Sequence, residues 1–90
     1  MHNSDTRDGA RVQCEFQATI EPEGGPALRA VVRNMSTCGA RLEGADIVAA
    51  PEQFDLLIKR GAGATERRRA RRVWGRDHAI GVFFLDRAGP

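Results

Sequence analysis

The stretch Val12-Gln13-Cys14-Glu15-Phe16-Gln17-Ala18-Thr19-Ile20-Glu21 decides the fold class. Val12, Cys14, Phe16, Ala18 and Ile20 fall on alternate positions, and the residues between them are amides, acids and a threonine. A helix would scatter these apolar side chains around its circumference, whereas a strand sends them all to one side. The alternation predicts a half-buried β-strand whose acid and amide face meets water.

The same rhythm recurs along the chain. Pro22 to Pro26, with Gly24 and Gly25 inside, reads as a turn. In a second strand, from about Ala27 to Arg33, Leu28, Ala30 and Val32 point inward against Arg29 and Arg33. The polar and small residues Asn34 to Gly39 interrupt the pattern, which resumes with Ala40 and Leu42 against Arg41 and Glu43. Gly44 to Glu52 is a connection with a helical turn expected around Ile47 to Ala50. Phe54, Leu56 and Ile58 mark a fourth strand, Gly61 to Gly63 a flexible loop, and Arg67 to Trp74 a fifth strand. If Ala70 and Trp74 face the core, Arg72 lies on the same side. That placement requires either an arginine at a barrel mouth reaching for water or a register shift beside it. After a turn at Gly75 to His78, Ile80, Val82 and Phe84 form the inner side of a sixth strand, with Gly81 and Phe83 outward. No segment has a helical apolar face.

Six short strands separated by turn signals predict an all-β fold, an antiparallel sheet closed into a six-stranded barrel with little or no C-terminal helix. Side chains fill the interior of so small a barrel, so a ligand binds on its outside. With 90 residues there is one domain. Residues 1–10 are expected to form a flexible arm, residues 11–86 the barrel, and residues 87–90 a tail.

The net charge is only +2, yet of the 14 Lys and Arg residues Lys59 is the one lysine. Arginine's planar fork of donors suits phosphates and guanine edges better than a point charge does. Cys14, Cys38, His2 and His78 have no metal-site spacing, so no metal is expected. No stretch reads as a signal peptide or a membrane span, which predicts a cytoplasmic protein with free thiols and no membrane insertion. No nucleophile has a base placed beside it, and the carboxylates are scattered. The expectation is a binding module, not an enzyme.

Four features carry chemistry. Arg7-x-x-x-Arg11 precedes the first strand and offers two guanidinium forks to an anion or to guanine O6 and N7. Taken alone, such a pair also occurs as solvated surface charge. Asn34-x-Ser36-x-x-Gly39 joins the second and third strands with short hydrogen-bonding side chains and a glycine that allows a positive φ and a close backbone approach. Asn34 and Ser36 also suit a plain hairpin whose side chains cap their own backbone. The run Arg67, Arg68, Arg69, Arg71, Arg72 suggests a nucleic-acid patch, but strand alternation splits it between two faces, which favours solvated charge. Trp74 reads as core or barrel rim.

In this order, with the closing Ile80-Gly81-Val82-Phe83-Phe84 and the Val73-Trp74 pair before it, these features resemble the PilZ domain, the bacterial receptor module for cyclic di-GMP. The resemblance runs from Arg7 to about Leu85 and includes Val32-Arg33-Asn34-Met35-Ser36-Thr37-Cys38-Gly39-Ala40-Arg41-Leu42. It implies a six-stranded barrel with cyclic di-GMP on its outer surface and no further cofactor. Arg7 and Arg11 would wrap the ligand, and Asn34, Ser36 and Gly39 would form the surface opposite, with Arg33, Arg41 and Trp74 as secondary contacts. Ordering of the N-terminal arm over the ligand would then signal to a downstream protein. The alternatives are a PilZ-fold protein-interaction module that binds no nucleotide and, behind it, an arginine-rich nucleic-acid binder. Two departures stand out: the family's frequent C-terminal helix has no counterpart here, and Arg72 stands where relatives usually have an apolar residue.

Overall fold

The computed structural model describes residues 12–86. In order these form β1 (Val12–Glu21), β2 (Leu28–Met35), β3 (Gly39–Glu43), a 3-10 turn (Ile47–Ala49), β4 (Gln53–Gly61), β5 (Ala64–Arg76) and β6 (Ala79–Phe84). Every strand pair is antiparallel, and the sheet closes on itself in the order β1-β2-β3-β6-β5-β4. Closure leaves none of the six strands with a free edge. This is the all-β barrel that the alternation predicts, and among the described residues the 3-10 turn is its only helical element.

The alternation also names the core. Ala18, Ile20, Ala30, Val32, Ala40, Leu42, Phe54, Leu56, Ile58, Ala70, Ile80 and Val82 are buried inside. Alanines on β1, β2, β3 and β5 make room for Phe54 and the branched side chains of β4, so large and small residues fill a narrow interior. Ile47 and Ala50, from the connection between β3 and β4, add buried apolar surface at one mouth.

Two arginines close the opposite mouth. The Arg60 guanidinium lies 4.6 Å from the centre of the Phe16 ring, and that of Arg68 lies 4.1 Å from the centre of Phe84. Glu66 bridges them, accepting from Arg60 at 2.9 Å and from Arg68 at 3.1 Å. Arg68 also donates to the carboxylate and to the backbone carbonyl of Asp86, each at 3.1 Å. Its side chain is 7% exposed, so Arg68 is a barrel-closing residue and not the solvated charge that its run suggests.

The rest of the run divides as strand geometry requires. Arg67 and Arg69 point outward and pair with Asp55 at 2.7 and 3.2 Å, and Arg71 pairs with Glu52 at 3.2 Å. Arg72 lies at the mouth and donates to the Val48 carbonyl at 3.0 Å, and the register shifts directly after it. Of the two alternatives for Arg72 the register shift is present, while the guanidinium at the mouth meets a backbone carbonyl instead of reaching for water.

The chain turns more tightly than its composition suggests. Gly61 pairs with Ala64, so the expected loop at Gly61 to Gly63 is a two-residue hairpin turn. Ala62 and Gly63 have φ of 51° and 79°, the signs that match a hairpin turn to the strands' twist. β2 continues through Asn34 and Met35, and β3 begins at Gly39, so only Ser36, Thr37 and Cys38 lie between the strands. No helix among the described residues is long and apolar enough to cross a membrane.

Candidate ligand-binding face

Strict alternation from Val32 would turn Asn34 into the barrel. A bulge prevents this. Val32 pairs with Leu42 and Asn34 with Arg41, leaving Arg33 as an extra residue on β2. Arg33 and Asn34 therefore both face outward, beside Arg41. β5 uses the same device. Arg72 pairs with Val82 and Trp74 with Gly81, so Val73 is the extra residue and Trp74 lands outside, 45% exposed. Of the two positions expected for Trp74, core or barrel rim, the core gives way to an outer-face position.

These two bulges, with a third register shift between Gln13 and Phe16 on β1, bring distant residues into one register. Gln13 pairs with Asn34, Asn34 with Arg41, Arg41 with Gly81, and Gly81 with Trp74. This row crosses β1, β2, β3, β6 and β5 on the outer surface. Gly81 is small for a reason: a Cβ there would overlap the indole Nε1 of Trp74, which lies across it. Beside the row a cleft of about 600 Å³ opens between Arg41, Glu43, Trp74, Arg76 and His78. Its size suits a small-molecule ligand.

The turn that ends β2 is held by its own groups. The Ser36 Oγ accepts from the backbone N–H of Cys38 at 3.1 Å and of Gly39 at 3.3 Å, and the Ser36 N–H donates to the Gly39 carbonyl at 2.9 Å. Ser36 thus caps its hairpin, as the plainer sequence reading has it. Its hydroxyl still carries one proton to donate outward. Gly39 does not have a positive φ; a Cβ there would collide with the Val82 carbonyl of β6. Glycine lets β3 approach β6, and Phe84 N–H donates to the Cys38 carbonyl at 2.8 Å just beyond.

The charges on this face are already balanced. Arg33 pairs with Glu15 at 3.5 Å and with Glu43 at 3.6 Å, and Arg41 pairs with Glu43 at 3.5 Å. These exposed pairs are weak and exchangeable, so an incoming phosphate can take either guanidinium from its carboxylate. The sequence reading passed over Glu43, Glu15 and Gln13. Glu43 lies two positions from Arg41 on the same side of β3, and that spacing is the signal which could have found it.

No family model matches the chain, and no curated protein matches it. Its barrel is nevertheless a known one. The structure of Bacillus subtilis inhibitor of motility (MotI/DgrA) superposes with a TM-score of 0.73 at 18% identity, over 96% of this chain and 46% of that one. What they share is the fold. This chain spans less than half the length of that protein.

Asn34, Ser36, Gly39, Arg33, Arg41 and Trp74 lie on or beside one continuous surface. Arg7 and Arg11 lie outside the described residues. Gln13 is two positions after Arg11, so the chain enters β1 at the end of the row. Cys14 and Cys38 are both free thiols. Cys14, half-buried, has its thiol pKa raised by desolvation and contacts the Val32 carbonyl at 3.6 Å. Among the described residues no cluster of His, Cys, Asp or Glu is arranged to hold a metal ion.

Proposed function

We propose that this chain is a receptor module that binds cyclic di-GMP on the outer face of its barrel. The observation that carries the reading is the row Gln13, Asn34, Arg41, Gly81, Trp74, assembled by three register shifts next to the Ser36 turn. Bulges that re-aim side chains are common beside functional sites. Here they set an amide, a guanidinium and an exposed indole side by side, a combination suited to a guanine base and its phosphate.

In the proposed complex Arg7 and Arg11 close over the ligand and meet its phosphates and guanine edges with bidentate bonds. The Asn34 carbonyl accepts from a guanine N–H, and the Ser36 hydroxyl donates its remaining proton to a phosphate oxygen. Arg41 leaves Glu43 for the dianionic ligand, and Trp74 offers a flat face for stacking. Ordering of the arm over this face would present a new surface to a downstream protein. The structurally similar chain is an inhibitor of motility, which fits a regulatory rather than a catalytic role.

The test is a calorimetric titration of the folded protein with cyclic di-GMP. Binding heat is expected, and Arg11→Ala should remove most of the affinity. Absence of heat at high micromolar ligand would refute the reading. It would favour the rival, a PilZ-fold interaction module without nucleotide, which the self-capped Ser36 and the packing role of Gly39 already support. The arginine run gives little support to a nucleic-acid binder, because Arg67, Arg69 and Arg71 are engaged by Asp55 and Glu52.

A further inference from the structure

A second row of residues crosses the outer face beside the first. Two positions along from Arg41, Gly81 and Trp74, Glu43 of β3 pairs with Ala79 of β6, and Ala79 with Arg76 of β5. Ala79 is small and buried, a floor between two charged side chains that rise from the strands on either side. Adjacent strands lie about 4.8 Å apart, which sets the Glu43 and Arg76 backbones about 10 Å from each other. Among the described residues Glu43 makes its ion pairs with Arg33 and Arg41, and Arg76 makes none. The gap between Glu43 and Arg76 belongs to the cleft of about 600 Å³, with Trp74 at its side.

The cleft is close to neutral, Arg41 and Arg76 standing against Glu43 and Asp77. A phosphate alone would meet repulsion there as well as attraction. A guanine base uses both signs, because N1–H and N2–H are donors and O6 and N7 are acceptors. A carboxylate only accepts, and a guanidinium only donates. The contacts from Glu43 to Arg41 and Arg33, at 3.5 and 3.6 Å, are longer than hydrogen bonds, so both carboxylate oxygens keep lone pairs for new donors. Trp74 rests one face of its indole on Gly81 and leaves the other exposed for stacking. His78 is engaged elsewhere, its Nδ1 lying 3.3 Å from the Ala45 carbonyl. Adenine fits this set poorly, since its N1 has no proton for Glu43 and its N6 amine would face a donor on Arg76.

We propose that this cleft is a guanine-reading subsite. Glu43 accepts from N1–H and N2–H of the base, Arg76 donates to O6 and N7, and Trp74 stacks on the ring. The inference rests on the cyclic di-GMP reading and deepens it: Asn34 takes one guanine of the ligand, and the cleft takes the other. When Arg41 turns to a phosphate, Glu43 loses one ion-pair partner and gains the base edge.

The test titrates the full chain with three dinucleotides in a calorimeter. Cyclic di-IMP lacks only the N2 amines of cyclic di-GMP, and cyclic di-AMP carries an amine in place of each O6 and has no N1–H. The unsubstituted protein should bind cyclic di-GMP about tenfold tighter than cyclic di-IMP, and cyclic di-AMP more weakly than either. Glu43→Gln should bring cyclic di-GMP and cyclic di-IMP to nearly equal affinity. If Glu43 serves only to hold Arg33 and Arg41, the same substitution frees them for phosphates and tightens all three ligands alike, which would overturn the proposal. Arg76→Gln should weaken cyclic di-GMP and cyclic di-IMP about tenfold and spare cyclic di-AMP. An equal loss for all three would make Arg76 a phosphate contact and overturn its role as a base reader. Each comparison between ligands is made on one protein, so a change in stability scales the three titrations together. No heat with any of the three would refute the receptor reading and the subsite with it, whereas binding without preference among the bases would refute the subsite alone.

Discussion

The indole of Trp74 occupies the space that a side chain on Gly81 would need, so these two residues form one layered contact on the outer face of β5 and β6. Glycine at 81 holds the ring against the sheet. Gly81→Val should push the indole off, costing about 1–3 kcal/mol from overpacking. Urea denaturation reads the stability, and the emission of this lone tryptophan should move toward that of a solvated indole. An unchanged spectrum would mean that the ring does not rest on Gly81.

Arg68 is a second test of packing, at the other end of β5. It lies over Phe84 and joins Glu66 to Asp86. Arg68→Ala removes a buried guanidinium with three hydrogen-bonded contacts and opens the mouth, and should cost about 2–4 kcal/mol. Arg68→Met keeps the stack on Phe84 without the ion pairs and should recover part of that loss. Arg71→Ala, at an exposed pair with Glu52, should cost less than about 1 kcal/mol. Equal midpoints for Arg68→Ala and Arg71→Ala in denaturant would contradict the buried role.

The same clamp sets an acid limit on stability. Burial alone would raise the Asp86 carboxyl, but the Arg69 N–H and the Arg68 guanidinium bond its oxygens and outweigh that, holding it below the usual carboxylate range. A carboxyl depressed in the folded state contributes stability that is present above its unfolded pKa and is lost as pH falls through its folded pKa. The contribution of Asp86 should therefore be constant near neutrality and fade below about pH 4. Asp86→Asn should lower the midpoint at pH 7 and narrow its gap from the parent in acid. A parallel pair of stability curves from pH 7 to pH 3 would remove Asp86 from this role.

Period-two alternation made the barrel legible, because a strand's side-chain rhythm is fixed and a one-residue slip reverses every face. It named Val32, Leu56 and Val82 as core without any knowledge of how the strands pair. It could not show the bulges at Arg33 and Val73, which depend on the partner strand and leave no local mark in the sequence. Alternation therefore leaves Trp74 as core or barrel rim, although Arg72 signals trouble in that register. Arg68 was hidden for a related reason. A charged residue on the inner phase of a strand reads as solvated until Phe84 of β6, Asp86 beyond it and Glu66 two positions back on the same strand are seen around it. The Asn34, Ser36, Gly39 spacing was visible, but the cause of Gly39 was not: the atom it avoids belongs to Val82.

Asn34 is the position where the proposed nucleotide reading is most exposed to test. It stands on the outer face only because Arg33 is inserted, and its cross-strand neighbour is Arg41. If a guanine edge lies against it, a carboxylate there accepts from both N1–H and N2–H, where an amide offers one acceptor oxygen and two mismatched donors. Arg33 and Arg41 beside it favour the ionised form of an acid at this position. Asn34→Asp should therefore bind cyclic di-GMP about tenfold tighter, and Asn34→Ala about tenfold weaker, the range of one good contact to a base edge. Both substitutions sit on a half-buried outer position and should leave the barrel folded. Side-by-side calorimetry at one salt concentration decides the matter, since phosphate contacts weaken as salt rises. Identical affinities for the Asn, Asp and Ala proteins would place the guanine elsewhere on the barrel.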